Sequence, residues 1–174
     1  MVLHAAPYLI FPLAALYLLR REESVRERER ISFRIPRNTY YLGLIRKAVV
    51  EVARRAGFSV SATAEIEMAV DEACSNAIRH SGGGSSGPSD SIAFDAVIDE
   101  AGIVVTVADG GAPFPFDKLG TADIESYLSG REVGGLGVYI IKRFMDEVHY
   151  CHRPEVGNEL RMRKYLEVGD ASQR

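Results

Sequence analysis

A carboxylate and an amide lie four residues apart in the segment Glu65–Ser81, EIEMAVDEACSNAIRHS. Residues at this spacing stand above one another on a helix, with about 5–6 Å between their Cβ atoms, so Glu72 and Asn76 share one edge. An apolar stripe at helical spacing forms the opposite face: Ile66, Ala69, Val70, Ala73, Cys74, Ala77 and Ile78. An acid and an amide placed in this way can hold a hydrated Mg²⁺ and activate a nearby hydroxyl. A solvated helix edge explains most such pairs, so the pair alone does not establish a site.

The second feature is the sequence DGGAPF at residues 109–114, directly after the apolar run IVVTVA. Asp-Gly and Gly-Gly are typical of hairpin turns because glycine accepts positive φ. Pro113 and Pro115 cannot supply a paired return strand, however. The motif also suits a ligand edge, at which Asp109 accepts a hydrogen bond from an exocyclic amine and the Gly111 backbone lies close behind. Both interpretations remain open from these residues alone.

The third feature is GGLG at residues 134–137, which opens a predicted helix over Val138–Met145. Glycines before a helix let backbone N–H groups approach a phosphate, and the helix N-terminus favours negative charge. A flexible loop with a glycine cap explains the same residues. The motif is not a Rossmann fingerprint, and the chain contains no Walker-type GK[ST] sequence. Alone, this turn is weak evidence for a phosphate site.

These motifs must be positioned by a small set of strands and helices. Strands are predicted at Ile31–Pro36, Ile92–Ile98, Ile103–Ala108, Val148–His152 and Glu159–Leu166. Helices are predicted from Asn38 or Thr39 to about Ala56, from Ser61 or Thr63 through the Glu72 and Asn76 pair, around Thr121–Leu128, and over Gly135–Met145. Helices segregated from a mostly antiparallel, mixed sheet indicate an α+β fold, a two-layer sandwich with helices covering one face of the sheet.

The connections between these elements are of three kinds: a tight turn, a flexible loop and one unusually long segment. Asp99–Gly102 predicts a hairpin turn, and residues 81–90, SGGGSSGPSD, have the composition of a flexible loop. The connection over Asp109–Gly134 is long for a compact domain. We therefore expect part of it, Asp117–Val133, to act as a functional lid.

Size and composition indicate one ordinary globular domain. The chain has 174 residues and a net charge of −3 with no basic half, so nucleic acid is a poor candidate partner. The two cysteines, Cys74 and Cys151, provide neither a disulfide framework nor a metal-ligand spacing. Cys74 falls on the apolar helix face and is expected to behave as a small buried hydrophobe. A reducing, cytoplasmic location fits these features.

The N-terminus departs from that pattern. Val2–Leu19 is almost wholly apolar and is followed by Arg20, Arg21 and a mixed-charge run. Eighteen residues is the lower limit for a membrane-spanning helix, and two prolines interrupt this one. Three interpretations stay open: a short membrane anchor that gives weak membrane association, a partner-binding helix, or extra residues ahead of the true start.

Taken together and in this order, the three motifs are specific. ExxxN on a helix, DxGxPF after a strand and GGLG before a helix resemble the N, G1 and G2 boxes of the GHKL (histidine kinase-like) ATPase superfamily. The short form most similar to this chain is the anti-sigma-factor serine/threonine kinase family. The resemblance covers about Ile31–Leu166 and implies the Bergerat-type ATP-binding fold. It divides the chain into an extension over 1–30, an ATPase domain over 31–168 and a tail over 169–174.

The resemblance implies a role for each matching position. Asn76 would coordinate Mg²⁺ that bridges the ATP phosphates, and Glu72 would take the proton from the attacking hydroxyl. Asp109 would read the adenine amino group, with Gly111 against the ring. Gly135 and Gly137 would close over the phosphates. Some family kinases place an arginine just before the G2 glycines, where this chain has Glu132-Val133, and Arg131 is the nearest substitute.

The implied function is an ATP-dependent kinase that phosphorylates a serine or threonine on a small antagonist (anti-anti-sigma) protein and, in its other state, holds a sigma factor or similar regulator. The alternative is a non-catalytic ATP-binding switch that controls a partner through its lid. A histidine-kinase fragment is disfavoured because no helical hairpin supplies a phospho-acceptor histidine. Members of the family commonly form homodimers, although no interface can be identified from this sequence.

Overall fold

The computed structural model describes residues 29–80, 91–119, 135–154 and 156–167. The strands are β1 (Glu29–Pro36), β2 (Ser91–Asp99), β3 (Gly102–Asp109), β4 (Glu147–Arg153) and β5 (Gly157–Tyr165). The helices are α1 (Leu42–Ala56), α2 (Val60–His80) and α3 (Leu136–Phe144), with short 3-10 turns at Thr39–Tyr41 and Phe116–Lys118. All five predicted strands and three of the predicted helices are confirmed, with ends that differ by no more than three residues.

The five strands form one open sheet in the order β1-β2-β3-β5-β4. Every described pairing is antiparallel, so the mixed pairing that we expected does not occur among these strands. Asp99 pairs with Gly102, which confirms the predicted β2–β3 hairpin. In the pairing of β3 with β5, Asp109 lies opposite Asn158. This register places two polar side chains at the same end of adjacent central strands.

The helices form the second layer and cover one face of the sheet, as the α+β prediction required. Successive side chains on a strand point to opposite faces, and the inward set is apolar and buried; it includes Ile35, Phe94, Ile103, Val105, Val107 and Met162. Helix α2 packs against α1 on one side and α3 on the other. Its predicted apolar stripe is buried except for Ile78, which is partly buried, and Ile66, Val70 and Cys74 are fully inaccessible. The face carrying Glu72 and Asn76 is thereby fixed relative to its neighbours.

Local signals explain where the helices begin and end. The Asn38 side chain accepts a hydrogen bond from the Tyr40 N–H at 2.9 Å, and Gly57 ends α1 in the left-handed conformation with φ of 100°. Helix α2 begins earlier than predicted: Ser59, rather than Ser61 or Thr63, accepts from the Ala62 N–H at 3.2 Å. Ser59, Ser61 and Thr63 alternate along this segment, and the helix uses the first of them as its cap.

Several predictions fall on residues outside those described. These are residues 1–28 of the extension predicted over 1–30, the loop over 81–90, the helix around Thr121–Leu128, the phosphate-contact candidate Arg131 and the tail predicted over 169–174. Most of the expected lid and Gly134 also lie there. Within the described ranges, no helix combines the length and apolar character needed to cross a membrane.

Candidate active site

Helix α2 presents Glu72 and Asn76 on an edge that is half-buried rather than solvated. The residues beside them, Ala73 and Ala77, are buried and small, so the sheet and α3 can approach this part of the helix closely. Cys74 lies on the inner face, and burial raises the pKa of its thiol to about 12. The thiol therefore stays protonated and serves packing, as predicted, while the two polar side chains point toward α3.

Gly137 brings the first turn of α3 directly against that pair. A Cβ atom built on Gly137 would lie 2.5 Å from Oε2 of Glu72 and 3.3 Å from Nδ2 of Asn76. Gly135 precedes the helix as its N-cap residue and has φ of 92°, a conformation that favours glycine. Two motifs about sixty residues apart in the sequence therefore meet at one point, as a phosphate-binding arrangement requires.

A pocket opens beside this meeting point, between α2 and the ends of the central strands. It is lined on the helix side by small and amide side chains and on the sheet side by aromatic, apolar and polar ones: Ala73, Asn76, Ala77, Val107, Asp109, Phe114, Phe116, Tyr150, Asn158 and Leu160. An apolar cleft with a few convergent polar groups is the usual form of a small-molecule site. Its flat aromatic walls and single carboxylate suit a planar base that carries an amino group.

Asp109 is held in a fixed orientation at the end of β3. Its Oδ1 accepts hydrogen bonds from the Gly111 N–H at 2.7 Å and from Nδ2 of Asn158 at 2.9 Å. Gly111 is buried, so this bond forms away from competing water. The DGG sequence therefore forms a tight local turn that orients the carboxylate toward the pocket, and the hairpin interpretation of this motif is wrong.

Asn158 is a site residue that the sequence did not reveal. Its Nδ2 donates to Asp109 and to the Ala112 carbonyl at 3.0 Å, and its Oδ1 accepts from the Tyr150 hydroxyl at 2.6 Å. Nδ1 of His152 lies 2.9 Å from the same Oδ1. The side chain thus uses both its donors and its acceptor within the site. Nothing local marks Asn158, because only the pairing of β3 with β5 places it beside Asp109.

The aromatic wall is fixed by its own contacts. The Tyr150 hydroxyl accepts from the Phe114 N–H at 2.7 Å, and its ring stacks on Phe116 with centroids 5.6 Å apart. Lys142 of α3 lies on the Phe116 ring and donates to the carbonyls of Phe116 and Leu119. The segment after DGG is therefore tied to both the sheet and α3.

The donor set fits a cation of one particular kind. No group of three or more His, Cys, Asp or Glu side chains in the described ranges could form a metal cage. Glu72 and Asn76 supply oxygen donors, which suit a hard cation. Mg²⁺ usually keeps several waters and is coordinated by substrate phosphates, so one or two protein ligands suffice. The residues present therefore fit Mg²⁺ that arrives with a nucleotide.

The fold and this site define a class, and comparison with known proteins identifies it. The histidine kinase-like ATPase domain family matches residues 35–164, and the chain belongs to this family. The resemblance seen in the three motifs is thereby confirmed.

Among individual proteins, the chain is similar to serine-protein kinases. It is 33% identical over 141 residues to the serine-protein kinase RsbW of Bacillus pumilus (strain SAFR-032), a match that covers 78% of this chain and 85% of that one. The RsbW of Bacillus cereus (strain AH187) is 31% identical over 143 residues, with 80% and 86% covered. A chain in the crystal structure of the SiaB–SiaC complex from Pseudomonas aeruginosa has the same fold, with a TM-score of 0.62, 18% identity, and 87% and 99% covered.

Proposed function

We propose that this protein is an ATP-dependent serine/threonine protein kinase of the anti-sigma type. ATP binds in the pocket between α2 and the strand ends, with its base against Asp109 and the aromatic wall. The γ-phosphoryl group is transferred to a serine or threonine hydroxyl of a small antagonist protein. The similarity to RsbW serine-protein kinases over about four-fifths of the chain supports the reaction class.

The observation that carries the proposal is the contact of Gly137 with Glu72 and Asn76. Phosphoryl transfer depends mainly on positioning and charge stabilisation. The start of α3 offers backbone N–H groups where the phosphates would lie. Glu72 stands at the same point and serves as the base that receives the proton of the acceptor hydroxyl. Asp109, at the other end of the pocket, binds the adenine ring. One bound nucleotide therefore reaches from Asp109 to Glu72.

Asn76 is the proposed protein ligand of the metal. When bound, Mg²⁺ would neutralise charge on the phosphates. The amide of Asn76 lines the pocket. It lies one helical turn from Glu72, so the metal ligand and the proton acceptor are different side chains. Arg131, together with the lid expected over Asp117–Val133, remains a candidate for contacting the γ-phosphate.

The proposed partners follow from the same family. They are an anti-anti-sigma antagonist as substrate and a sigma factor or similar regulator bound in the alternative state, in the cytoplasm. The homodimer and the membrane contact through residues 2–19 stay predictions and do not enter this proposal. Nucleic acid is not a proposed partner.

Transfer of labelled γ-phosphate to a candidate antagonist tests the kinase activity. Glu72→Gln should lower the transfer rate by about 100-fold or more, since general-base contributions of 10²–10⁴ are typical. Glu67→Gln, on the same helix but outside the pocket, is the matched control and should leave the rate unchanged. If no phosphate is transferred to any candidate, while partner binding depends on ATP and is unchanged in Glu72→Gln, the protein is a non-catalytic switch.

Calorimetry with Mg-ATP tests the metal ligand separately. Asn76→Ala should weaken Mg-ATP binding by about tenfold or more, and Asn76→Asp, which keeps an oxygen ligand, should recover part of it. Equal affinity of wild type and Asn76→Ala would show that the site is misassigned.

A further inference from the structure

The Lys142 ammonium group is shared between two backbone carbonyls and one aromatic ring. Nζ donates to the Leu119 carbonyl at 2.8 Å and to the Phe116 carbonyl at 3.2 Å, and it lies 5.1 Å from the centroid of the Phe116 ring. The side chain is half-buried. Hydrogen bonds from a charged donor are stronger than neutral ones, and a cation over a ring face adds attraction. Lys142 therefore ties the 3-10 turn at Phe116–Lys118 to α3.

Phe116 is the part of this turn that reaches the pocket. Its side chain is 4% exposed and stacks nearly parallel on Tyr150, with an interplanar angle of 19°. The Phe116 ring therefore stacks on Tyr150 of the sheet and also contacts the ammonium group of Lys142 in α3. Lys142 links this ring to α3, whereas Tyr150 links it to the sheet.

Helix α3 is itself firmly placed. Gly137 in its first turn approaches Glu72. At its other end, the Phe144 carbonyl accepts from Nζ of Lys164 at 2.8 Å, and that ammonium group also donates to Glu65 of α2 at 2.9 Å. The helix is therefore fixed to both α2 and β5. A residue that holds Phe116 to α3 holds it to the whole helix layer.

We propose that Lys142 is a positioning residue that couples the two halves of the nucleotide site. The base half contains Asp109 and Phe116, and the phosphate half contains Glu72, Asn76 and the start of α3. Lys142 keeps the Phe116 wall, against which the base would lie, in register with the helix that faces Glu72 and Asn76. The inference rests on the proposed function, since it assigns the two halves to one bound nucleotide. Lys142 acts through Phe116 and does not contact the nucleotide itself.

Two ligands report on the two halves in the full-length chain. Adenosine probes the base half alone, and Mg-ATP probes both; each affinity is measured by calorimetry or by competition. Lys142→Met keeps the aliphatic stem and removes only the ammonium group. It should weaken adenosine binding by roughly tenfold, the size expected for losing charge-assisted hydrogen bonds that order a wall. Lys142→Arg, which can donate to both carbonyls, should bind within about threefold of wild type.

Arg143→Met is the matched control, because it removes the same charge from the next position of α3, where the side chain is exposed. It should leave both affinities within about twofold of wild type. Equal effects of Lys142→Met and Arg143→Met would overturn the proposal, as would wild-type affinities in Lys142→Met.

A double-variant cycle separates coupling from local packing. Asn76→Ala and Lys142→Met act on different halves, so without coupling their fold-losses in Mg-ATP affinity multiply. Coupling predicts that the combined loss is smaller than that product by threefold or more, since a displaced wall already disturbs the phosphate half. A multiplicative result contradicts the proposal.

The outcomes also distinguish this inference from the proposed function. If wild type does not bind Mg-ATP, the proposed function fails and the inference fails with it; if wild type binds and Lys142→Met binds equally, only the inference fails. If Lys142→Met does not fold, Lys142→Arg decides. It must match wild type both in adenosine affinity and in slow hydrogen exchange of the Phe116 and Leu119 amides, and a loss of either overturns the proposal.

Discussion

The backbone of Gly137 approaches the Glu72 carboxylate so closely that a Cβ atom on this residue would lie 2.5 Å from Oε2. Real Cβ atoms essentially never come within 3.0 Å of such a neighbour. Gly137 is not among the glycines with positive φ, so the requirement for glycine is one of space and not of backbone conformation. The missing side chain is what allows α3 to begin against the edge of α2 that carries Glu72.

Gly137→Ala should therefore damage activity far more than stability. The displaced atom is the far end of a flexible side chain, which can rotate away, and alanine is the better helix former by about 0.5–1 kcal/mol. We expect the free energy of unfolding to change by less than about 1 kcal/mol and phosphate transfer to fall by about tenfold or more, since a small misplacement of a catalytic group is costly. Urea denaturation and the labelled-phosphate assay measure the two effects.

Gly43→Ala provides the control for that substitution. Gly43 lies in α1, and a Cβ atom there would meet nothing within 4 Å. The variant should gain about 0.5–1 kcal/mol of stability and transfer phosphate at the wild-type rate. Should Gly137→Ala behave in the same way as Gly43→Ala, the close approach has no functional consequence.

The parts of the site that could be predicted from the sequence are those defined by local rules. The four-residue spacing of Glu72 and Asn76 specifies a shared helix edge whatever surrounds it. Asp109 follows an unmistakable strand, and Gly135 and Gly137 precede a clear helix. Their order along the chain supplied the rest, because it matches a known family. The strand pattern likewise indicated the two layers.

The parts that could not be predicted depend on tertiary pairing. Asn158 lies 49 positions from Asp109, and only the β3–β5 register brings them together. Lys142 looks like any solvated lysine in the last turn of a helix, where a cation is favoured by the dipole alone. Ser59 cannot be told from the neighbouring hydroxyl residues Ser61 and Thr63 by residue type, although it is the one that caps α2. In each case the local sequence permits several arrangements, and distant contacts select one.

The ion pair of Asp99 with Arg163 gives a pH-dependent prediction. Hydrogen bonding to the Arg163 guanidinium, at 2.8 Å, holds the pKa of Asp99 below its ordinary value. A depressed carboxyl pKa stabilises the fold above the unfolded-state value of about 3.9, and this contribution is lost as the pH falls through the lower folded-state pKa. Asp99→Asn should cost about 1–2 kcal/mol at pH 7 and progressively less as the pH falls below about 4. Urea denaturation at a series of pH values from 7 downward provides the measurement.

Glu51→Gln is the comparison for Asp99→Asn. Glu51 pairs with Arg55 at 2.8 Å, but these side chains are 56% and 71% exposed, so solvent screens the pair. Its removal should cost much less at pH 7 than the removal of Asp99 does. A cost equal to that of Asp99→Asn would show that partial burial of the Asp99 pair contributes nothing.

Cys74 makes stability fall in alkaline solution. Burial raises the pKa of its thiol to about 12, whereas the thiol of the unfolded chain ionises near 8.5. Between these values the unfolded state loses a proton that the folded state keeps, so stability falls with rising pH by up to about 1.4 kcal/mol per unit. Cys74→Ala should flatten that slope between pH 8.5 and 10.5 in urea denaturation, and Cys151→Ala, at an exposed position, should not. Identical slopes in the two variants would contradict the assignment.

Asn158 allows the adenine end of the site to be tested by one isosteric change. Its Nδ2 donates to Oδ1 of Asp109 at 2.9 Å, so Asn158→Asp replaces a donor with a second carboxylate at that distance. Two carboxylates this close cannot both ionise easily, and one pKa of the pair rises strongly. We expect Mg-ATP affinity to fall by about tenfold or more at pH 8 and to recover partly toward pH 5, where the pair shares a proton. Asn158→Ala should lose affinity at both pH values alike, since it has no proton to gain. Calorimetry across this range decides: a pH-independent loss in Asn158→Asp, or wild-type affinity at pH 8, would mean that Asn158 does not orient Asp109 toward the base.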